Sequence, residues 1–464
     1  MAGERQALKA VRMLLLATAL AWAAPAAPQI LPGGLPSLPG AGALPGGLGD
    51  LRRTEPGLPT PSRLRDPAAV PGIAPLTAAA DGLAGASLSE VRRLAVQRLL
   101  RDHRDLVEAD DHGQPVARGE VLAIGVGRDT LARLRDAGFT VRARDSLDGL
   151  GLETLVLGAP RGQSAVEAVR RLRELDPAGE YEFNHLYQPA GEAGQPTAKP
   201  VVGAAAAPET ARGLRIGLVD GSAAQSRPGL AKARLVQHAF APGGAQVTAH
   251  ATAVASLIVG DAGPFHGSAP GATLYVADVY GATAAGGSAA AVARALAWLA
   301  QSDTAVINIS LVGPPNRLLE AAVRALLARG DLVVAAVGND GPAAPPLYPA
   351  AYPGVVAVTG VDARGRVLPE AGRGSHVDFA APGSDMAAAG VDGGFVRVRG
   401  TSFAAPIVAG RLAVLRAGGS PAQAREALVG EAVDLGAPGP DPIYGHGLVG
   451  AALRTDPAAL VRRR

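Results

Sequence analysis

The sequence has no cysteine in its 464 residues. That excludes disulfide staples, thiolate zinc sites, iron–sulfur clusters, a cysteine nucleophile and a lipid-bearing cysteine anchor. Lysine is nearly as scarce: Lys9, Lys199 and Lys232 are the only three among 44 basic residues, which face 41 acidic ones for a net charge of +3. The arginines are interspersed with carboxylates, so no phosphate footprint for nucleic acid stands out. Aromatic residues make up 3% of the chain against 48% hydrophobic residues overall. The core must therefore be built from Ala, Val and Leu, and base-stacking platforms are excluded. Beyond the first thirty residues no apolar run approaches the roughly 20 residues that cross a bilayer.

What is present begins with Arg5, Lys9 and Arg12, then the apolar run Met13–Trp22, then small residues around Ala24-Pro25-Ala26. This order reads as an export signal over residues 1–26, too short for a membrane anchor. It places the protein outside the cytoplasm, secreted or periplasmic, with no stable membrane insertion after signal removal. Residues 27–80 read as a Pro/Gly-rich disordered linker, since the stretch from Ala24 to Ala80 holds 12 Pro and 9 Gly.

Order is expected from about residue 81. Ser87 and Glu90 form a capping-box pattern, followed by a helix whose apolar face carries Val91, Leu94, Ala95 and Leu99. A strand at Glu120–Val126, a helix at Asp129–Ala137, strands near Phe139–Arg144 and Glu153–Leu157, a helix capped by Ser164 and Glu167, and a strand at Glu180–Leu186 then follow. The order βαββαβ is that of a ferredoxin-like α+β module. His103, His112 and His185 are isolated in it and read as surface or core residues. Gly125-Val126-Gly127 lacks the third glycine of a dinucleotide fingerprint. An Ala/Gly/Pro-rich stretch, 188–213, reads as an exposed, cleavable joint. Beyond it, strands at Leu214–Val219, Thr273–Val279, Ala305–Ile309 and Leu332–Val337 alternate with helices at His250–Val259, Ser288–Ala300 and Arg317–Ala328. Such alternation predicts a parallel sheet covered on both faces.

Four positions in this second part carry possible chemistry, each with an ordinary alternative. Asp220 closes the first apolar strand, where it could equally begin an Asp-Gly turn. His250 opens an apolar helix, where a capping histidine is common. Asn339 sits in the turn Gly338-Asn339-Asp340-Gly341. Ser402 lies in Gly400-Thr401-Ser402-Phe403-Ala404-Ala405-Pro406 at the start of an Ala-rich helix, where it could be a simple cap.

Taken together, the order Asp, His, Asn, Ser and the neighbours of each resemble the subtilisin-like serine proteases. Gly-Thr-Ser-x-Ala-x-Pro around Ser402 is the most specific element. Gly267-Ser268-Ala269-Pro270-Gly271-Ala272, Asn308-Ile309-Ser310-Leu311, Tyr348-Pro349-Ala350 and Ala381-Pro382-Gly383 add to it. The resemblance covers about 240 residues, from Leu214 to roughly Arg454. It implies a subtilisin-like three-layer α/β domain with a mainly parallel sheet over residues 214–454, followed by a tail at 455–464. The ferredoxin-like module at 81–187 corresponds by order and position to the family's prodomain, an intramolecular chaperone and inhibitor.

The same resemblance implies a serine endopeptidase made as a self-processing zymogen. Ser402 would be the nucleophile, His250 the base and Asp220 its orienting partner, with Asn339 donating to the oxyanion. Ser310, Leu311, Val312, Gly313 and Gly338 would line an extended substrate by strand addition. Val312 and Val337 predict a pocket suited to small or medium apolar side chains before the cleaved bond. The expected partners are polypeptide substrates and the protein's own prodomain, acting on a monomer with no cofactor and no required metal. Two departures stand out: Asp220-Gly221-Ser222 replaces the usual Asp-Thr/Ser-Gly, and His250-Ala251-Thr252-Ala253 replaces His-Gly-Thr-His. The rival from another class is a catalytically impaired peptide-binding protein on the same fold. Gly-Thr-Ser-Phe-Ala is not the Gly-x-Ser-x-Gly elbow of α/β-hydrolases.

Overall fold

The alternation of apolar strands and Ala-rich helices after residue 211 is realised as a seven-stranded, wholly parallel sheet. The computed structural model describes residue 90 and residues 92–196, 211–225 and 228–460. The export signal, the linker 27–80, Ser87 and Val91 of the first capping box and helix, and residues 197–210 of the joint lie outside the described residues.

The small module comes first. Residues 92–102 are helical. Leu99 and Leu100 rest against Val107, Ala117 and Leu186, whereas Leu94, expected on the same buried face, is 42% exposed. Strands β1 (Val107–Ala109) and β2 (Pro115–Ile124), helix α1 (Arg128–Asp136), β3 (Thr140–Leu147), β4 (Leu152–Gly158), α2 (Ala165–Leu175) and β5 (Glu180–His185) follow. β2 is central, flanked by β4 and β5, and β3 lies outside β4, all antiparallel. This is the ferredoxin-like arrangement, with β1 as an added edge on the first residues of β2. Strand alternation divides the residues of β2 between two faces. Val121 and Ala123 pack with Leu131, Leu134, Leu172 and Phe183 in the module's own core. Leu122 points the other way and joins Leu147 and Val156 in the core beneath the helices of the large domain.

In the large domain, β8 (Arg215–Asp220), β9 (Arg234–Ala239), α3 (Ala249–Val259), the short hairpin β10 (Asp261–Ala262) and β11 (Phe265–His266), β12 (Thr273–Asp278) and α4 (Ala289–Gln301) come in order. They are followed by β13 (Val306–Ile309), β14 (Leu311–Val312), α5 (Arg317–Arg329), β15 (Leu332–Ala336), β16 (Val356–Val361) and β17 (Phe379–Pro382). The hairpin β18 (Ser384–Ala389) and β19 (Phe395–Arg399), then α6 (Thr401–Arg416) and α7 (Pro421–Glu431), complete it. The sheet order is β17-β16-β15-β13-β8-β12-β9. Val306 and Val334 pack with α3 and α6 on one face, while Ile307 and Val333 pack with α4 and α5 on the other. The result is three layers, helix–sheet–helix. Small side chains let the layers approach closely. A Cβ on Gly410 of α6 would lie 2.0 Å from Ser268 Oγ, and Ser268 itself donates to the Pro406 carbonyl at 2.8 Å.

The small module docks its sheet on α4 and α5 and helps to satisfy their N-terminal amides. Asn184 Oδ1 accepts from the Ala290 N–H at 3.1 Å, beside the Ser288 cap of α4. Asn316, the cap of α5, donates from Nδ2 to the Phe183 carbonyl at 2.9 Å. Arg294 on α4 reaches Asp145 at 2.8 Å. His185, isolated in the sequence, is 4% exposed, with Nε2 at 3.1 Å from Asp110 and Nδ1 at 3.1 Å from Asn316.

One sequence expectation about the joint needs correction. The first part of the joint is paired strand rather than irregular linker: β6 (Gln188–Pro189) pairs antiparallel with β14, and β7 (Glu192–Pro196) pairs antiparallel with β19. Its composition carries no strand periodicity because its partners are edges supplied by the large domain. Residues 455–460 of the tail are anchored: the Thr455 carbonyl accepts from Ala387 N–H and Leu460 is 2% exposed within the core.

Candidate active site

The chemical groups converge at the carboxyl ends of the parallel strands, where open ladders and helix starts leave room for a ligand. Asp220 is the last residue of β8 and is buried. Its Oδ2 lies 2.7 Å from His250 Nδ1, and its Oδ1 accepts the Gly221 N–H at 2.7 Å. His250 is the second residue of α3, after the Thr248 cap whose hydroxyl accepts from Ala251 N–H. With Nδ1 engaged by the carboxylate, Nε2 is the nitrogen left to face the reaction, and it has no hydrogen-bond partner.

The unusual Asp220-Gly221-Ser222 fits this frame. A Cβ on Gly221 would meet Thr248 Cγ2 at 2.7 Å, so glycine lets the Asp220 turn lie against the helix cap. Ser222 Oγ donates to the buried Asp278 at 2.8 Å. Ala251 and Ala253, where the family has glycine and histidine, are both fully buried. Tyr280 is partly buried nearby, with its hydroxyl enclosed. Its hydroxyl is pushed well above the ordinary tyrosine range by burial and then by the negative charges of Asp220 and Asp278.

Ser402 is the second residue of α6, so its N–H is one of the free amides at the helix start. The helix is entered through Gly400, with φ of 136°, where a Cβ would lie 3.0 Å from both the Ala190 carbonyl oxygen and Asn339 Nδ2. Asn339 follows Gly338, whose φ of 95° turns the chain out of β15. Asn339 is aimed by the helix it faces: its Oδ1 accepts from Thr401 N–H at 3.1 Å, and Thr401 Oγ1 accepts from Gly338 N–H at 3.2 Å. Thr401 was not singled out in the sequence, although its place beside the serine in the motif was the available signal.

The deciding feature is what these donors hold. The Ala190 carbonyl accepts from Ser402 N–H at 3.0 Å and also from Asn339 Nδ2. The Ala190 N–H donates to the Ser310 carbonyl at 3.2 Å, and β6 continues the pairing along Leu311 and Val312. Upstream, Tyr187 is fully buried; its ring lies where a Cβ on Gly313 would stand, 2.6 Å away, and its hydroxyl donates to the Pro314 carbonyl at 2.8 Å. Ser310, Leu311, Val312 and Gly313 thus line an extended segment of the chain itself. Gly338 does not pair with that segment; its contribution is the turn that presents Asn339. Val312 shares a packed cluster with Ala190, while Val337 packs with Val333 and Ala335 on the opposite face of the sheet. Strand alternation turns Val337 away from the pocket.

The family model "Subtilase family" matches residues 238–447, a span that includes His250, Asn339 and Ser402 and begins beyond Asp220. Subtilisin Savinase from Lederbergia lenta is 36% identical over 193 residues, covering 41% of this chain and 70% of the relative. The chain belongs to the subtilase family. The alkaline protease of Alkalihalobacillus alcalophilus is likewise 36% identical over 193 residues, but the match spans 50% of that relative. Among solved structures, fervidolysin from Fervidobacterium pennivorans, a keratinolytic enzyme related to subtilisin, aligns with a TM-score of 0.62 at 20% identity. The alignment covers 75% of this chain and 62% of that one, and it supports the subtilase fold. Among the described residues, no helix is long and apolar enough to cross a membrane and no cluster of three potential metal ligands occurs.

Proposed function

We propose that this subtilase is an exported serine endopeptidase made as a precursor that cuts itself between Ala190 and Gly191. One observation carries the reading: the Ala190 carbonyl lies in the grip of Ser402 N–H and Asn339 Nδ2, beside the Asp220–His250 pair. In this reading residues 81–187 are the inhibitory prodomain, residues 214–454 the peptidase, and residues 188–190 occupy the cleft as a substrate would.

The steps follow from the groups present. Ser402 Oγ now donates to the Ser310 carbonyl at 3.2 Å while His250 Nε2 is unpartnered. The hydroxyl therefore turns to Nε2 before reaction, a tightening common when apo sites become productive. Oγ attacks the Ala190 carbonyl carbon as His250 takes its proton, and Asp220 holds the resulting imidazolium. The negative charge that develops on the Ala190 oxygen falls on donors already aimed at it, which is where electrostatic catalysis is strongest. Breaking the C–N bond hands the proton from His250 to the Gly191 amine. The Ala190 acyl group stays on Ser402 until water, deprotonated by His250, releases it as a carboxylate. Acting on other chains, the same cleft would favour alanine or another small apolar residue before the cut.

Mass spectrometry of the exported protein tests this. Fragments ending at Ala190 and beginning at Gly191, absent from Ser402→Ala, are expected. A wild-type chain that stays whole and fails to react with a fluorophosphonate probe would instead support the peptide-binding alternative.

A further inference from the structure

Gly191, the residue just after the proposed cut, has no conformational reason to be glycine, since its φ lies outside the left-handed region. Its surroundings supply a steric one. A Cβ built there would meet Phe403 Cε2 at 2.9 Å and the Arg399 carbonyl oxygen at 3.3 Å. Neither neighbour yields easily. Arg399 ends β19, whose backbone is fixed by pairing with β18. Phe403 is fully buried, and its ring lies 5.3 Å from the His250 ring, so moving it to admit a methyl group presses on the general base. On the far side, a Cβ on Gly400 would stand 2.8 Å from the Gly191 Cα. A glycine at each of the two positions lets the two backbones pass this closely.

Beyond Gly191 recognition changes character. Glu192 faces Arg399, Ala193 faces Val398 and Pro196 faces Val396, so the chain continues as an added strand on the edge of β19. We propose that Phe403 is the specificity-determining residue of the departing side of the cleft: it selects glycine immediately after the cut, and β19 then binds the chain that follows as an extended strand. The inference rests on the proposed cleavage and names its substrate class: polypeptides with a small apolar residue, then glycine, then several extended residues.

The test is a double-mutant comparison in the full chain. Forcing an extra methyl into a packed site costs about 1–3 kcal/mol, which is about five- to 150-fold in rate. Gly191→Ala should slow self-cleavage by that factor, and Gly191→Val by more. In a Phe403→Ala background the Gly191→Ala penalty should fall to about threefold or less. Each ratio is taken within one background, so a general loss of activity in Phe403→Ala leaves it readable; Phe403→Leu gives a second background. A Gly191→Ala chain cut as fast as wild type, or slowed equally with and without Phe403, overturns the proposal.

A reading without catalysis separates this from failure of the proposed function. In Ser402→Ala chains, amide hydrogen exchange reports whether residues 192–196 stay zipped to β19. Gly191→Val should expose those amides when Phe403 is present and leave them protected in the Phe403→Ala background. Unchanged protection in both backgrounds overturns the proposal even if no variant cleaves.

Discussion

The segments on either side of the Ala190 carbonyl are held by different physics. The leading side is anchored by side chains: Leu186, Tyr187 and Ala190 are each at most 3% exposed, and Tyr187 adds hydrogen bonds from its N–H to the Gly287 carbonyl and from its hydroxyl to Pro314. It is also the end of a module with its own core and its own docking bonds to α4 and α5. The trailing side is held by backbone pairing with the β19 edge. On the proposed reading, cutting the bond frees a weakly held strand and leaves a strongly held plug. Processing and activation are then two events, with the second limited by departure of the module.

The most drastic way to break the contrast is to prevent the cut. Ser402→Ala should abolish self-cleavage and leave one full-length species, read by mass spectrometry; residual cleavage at Ala190–Gly191 would place the nucleophile elsewhere. Asn339→Leu removes one of two donors to the Ala190 oxygen and should slow cleavage by about 10²–10³, the magnitude known for such a donor in a subtilisin. Rates within threefold of wild type would mean that the amide serves only to shape the turn.

Smaller changes sharpen the contrast. Tyr187→Phe keeps the buried ring but removes the donor to Pro314, and should weaken docking of the leading side by about 0.5–1.5 kcal/mol. The melting temperature of the Ser402→Ala chain and the affinity of the released module are the readouts; no change in either would assign the grip to packing alone.

The smallest effect is acid-dependent. Burial pushes the Asp110 carboxyl up, but hydrogen bonds from His185 and from the Gln114 and His112 N–H groups outweigh it, leaving Asp110 below the ordinary carboxylate range. A carboxylate held below its unfolded value contributes stability at neutral pH and loses it as pH falls through the folded pKa. Asp110→Asn should therefore lower the melting temperature of the Ser402→Ala chain at neutral pH. The gap from the parent should close in strong acid, and a gap that widens there would contradict the assignment.

Much of this was legible in the sequence, for local reasons. The βαββαβ order appeared as expected, and the four strands and three helices named for the large domain lie within a residue or two of their expected bounds, because each is written in its own periodicity and caps; β9, β16 to β19 and α7 were not foreseen. Asp220, His250, Asn339 and Ser402 were singled out together only through the resemblance to subtilisin-like proteases, each alone having an ordinary alternative, and they do lie together at strand ends and helix starts of the parallel sheet. The strands at 188–196 were not legible. Their Ala, Gly and Pro content matches a linker, and what makes them strands is an edge more than a hundred residues away. The Asp110–His185–Asn316 cluster was hidden for the same reason, its members being 75 and 131 residues from His185. Leu94 misled the helical face because a short amphipathic pattern with one solvent-facing leucine reads like a buried stripe.

The alternation along β19 would have a consequence once the proposed cut is made. Its residues read Phe-Val-Arg-Val-Arg, with Arg397 and Arg399 exposed and reaching Asp385 and Glu370. A strand that surrenders its neighbour becomes a template on which any other extended chain, including another copy, could zip into an aggregate. Each arginine is held by a carboxylate, and charged, ion-paired side chains standing on an edge strand hinder the stacking of a second copy against it. On the proposed reading, the edge that processing would bare carries its own guard against self-association.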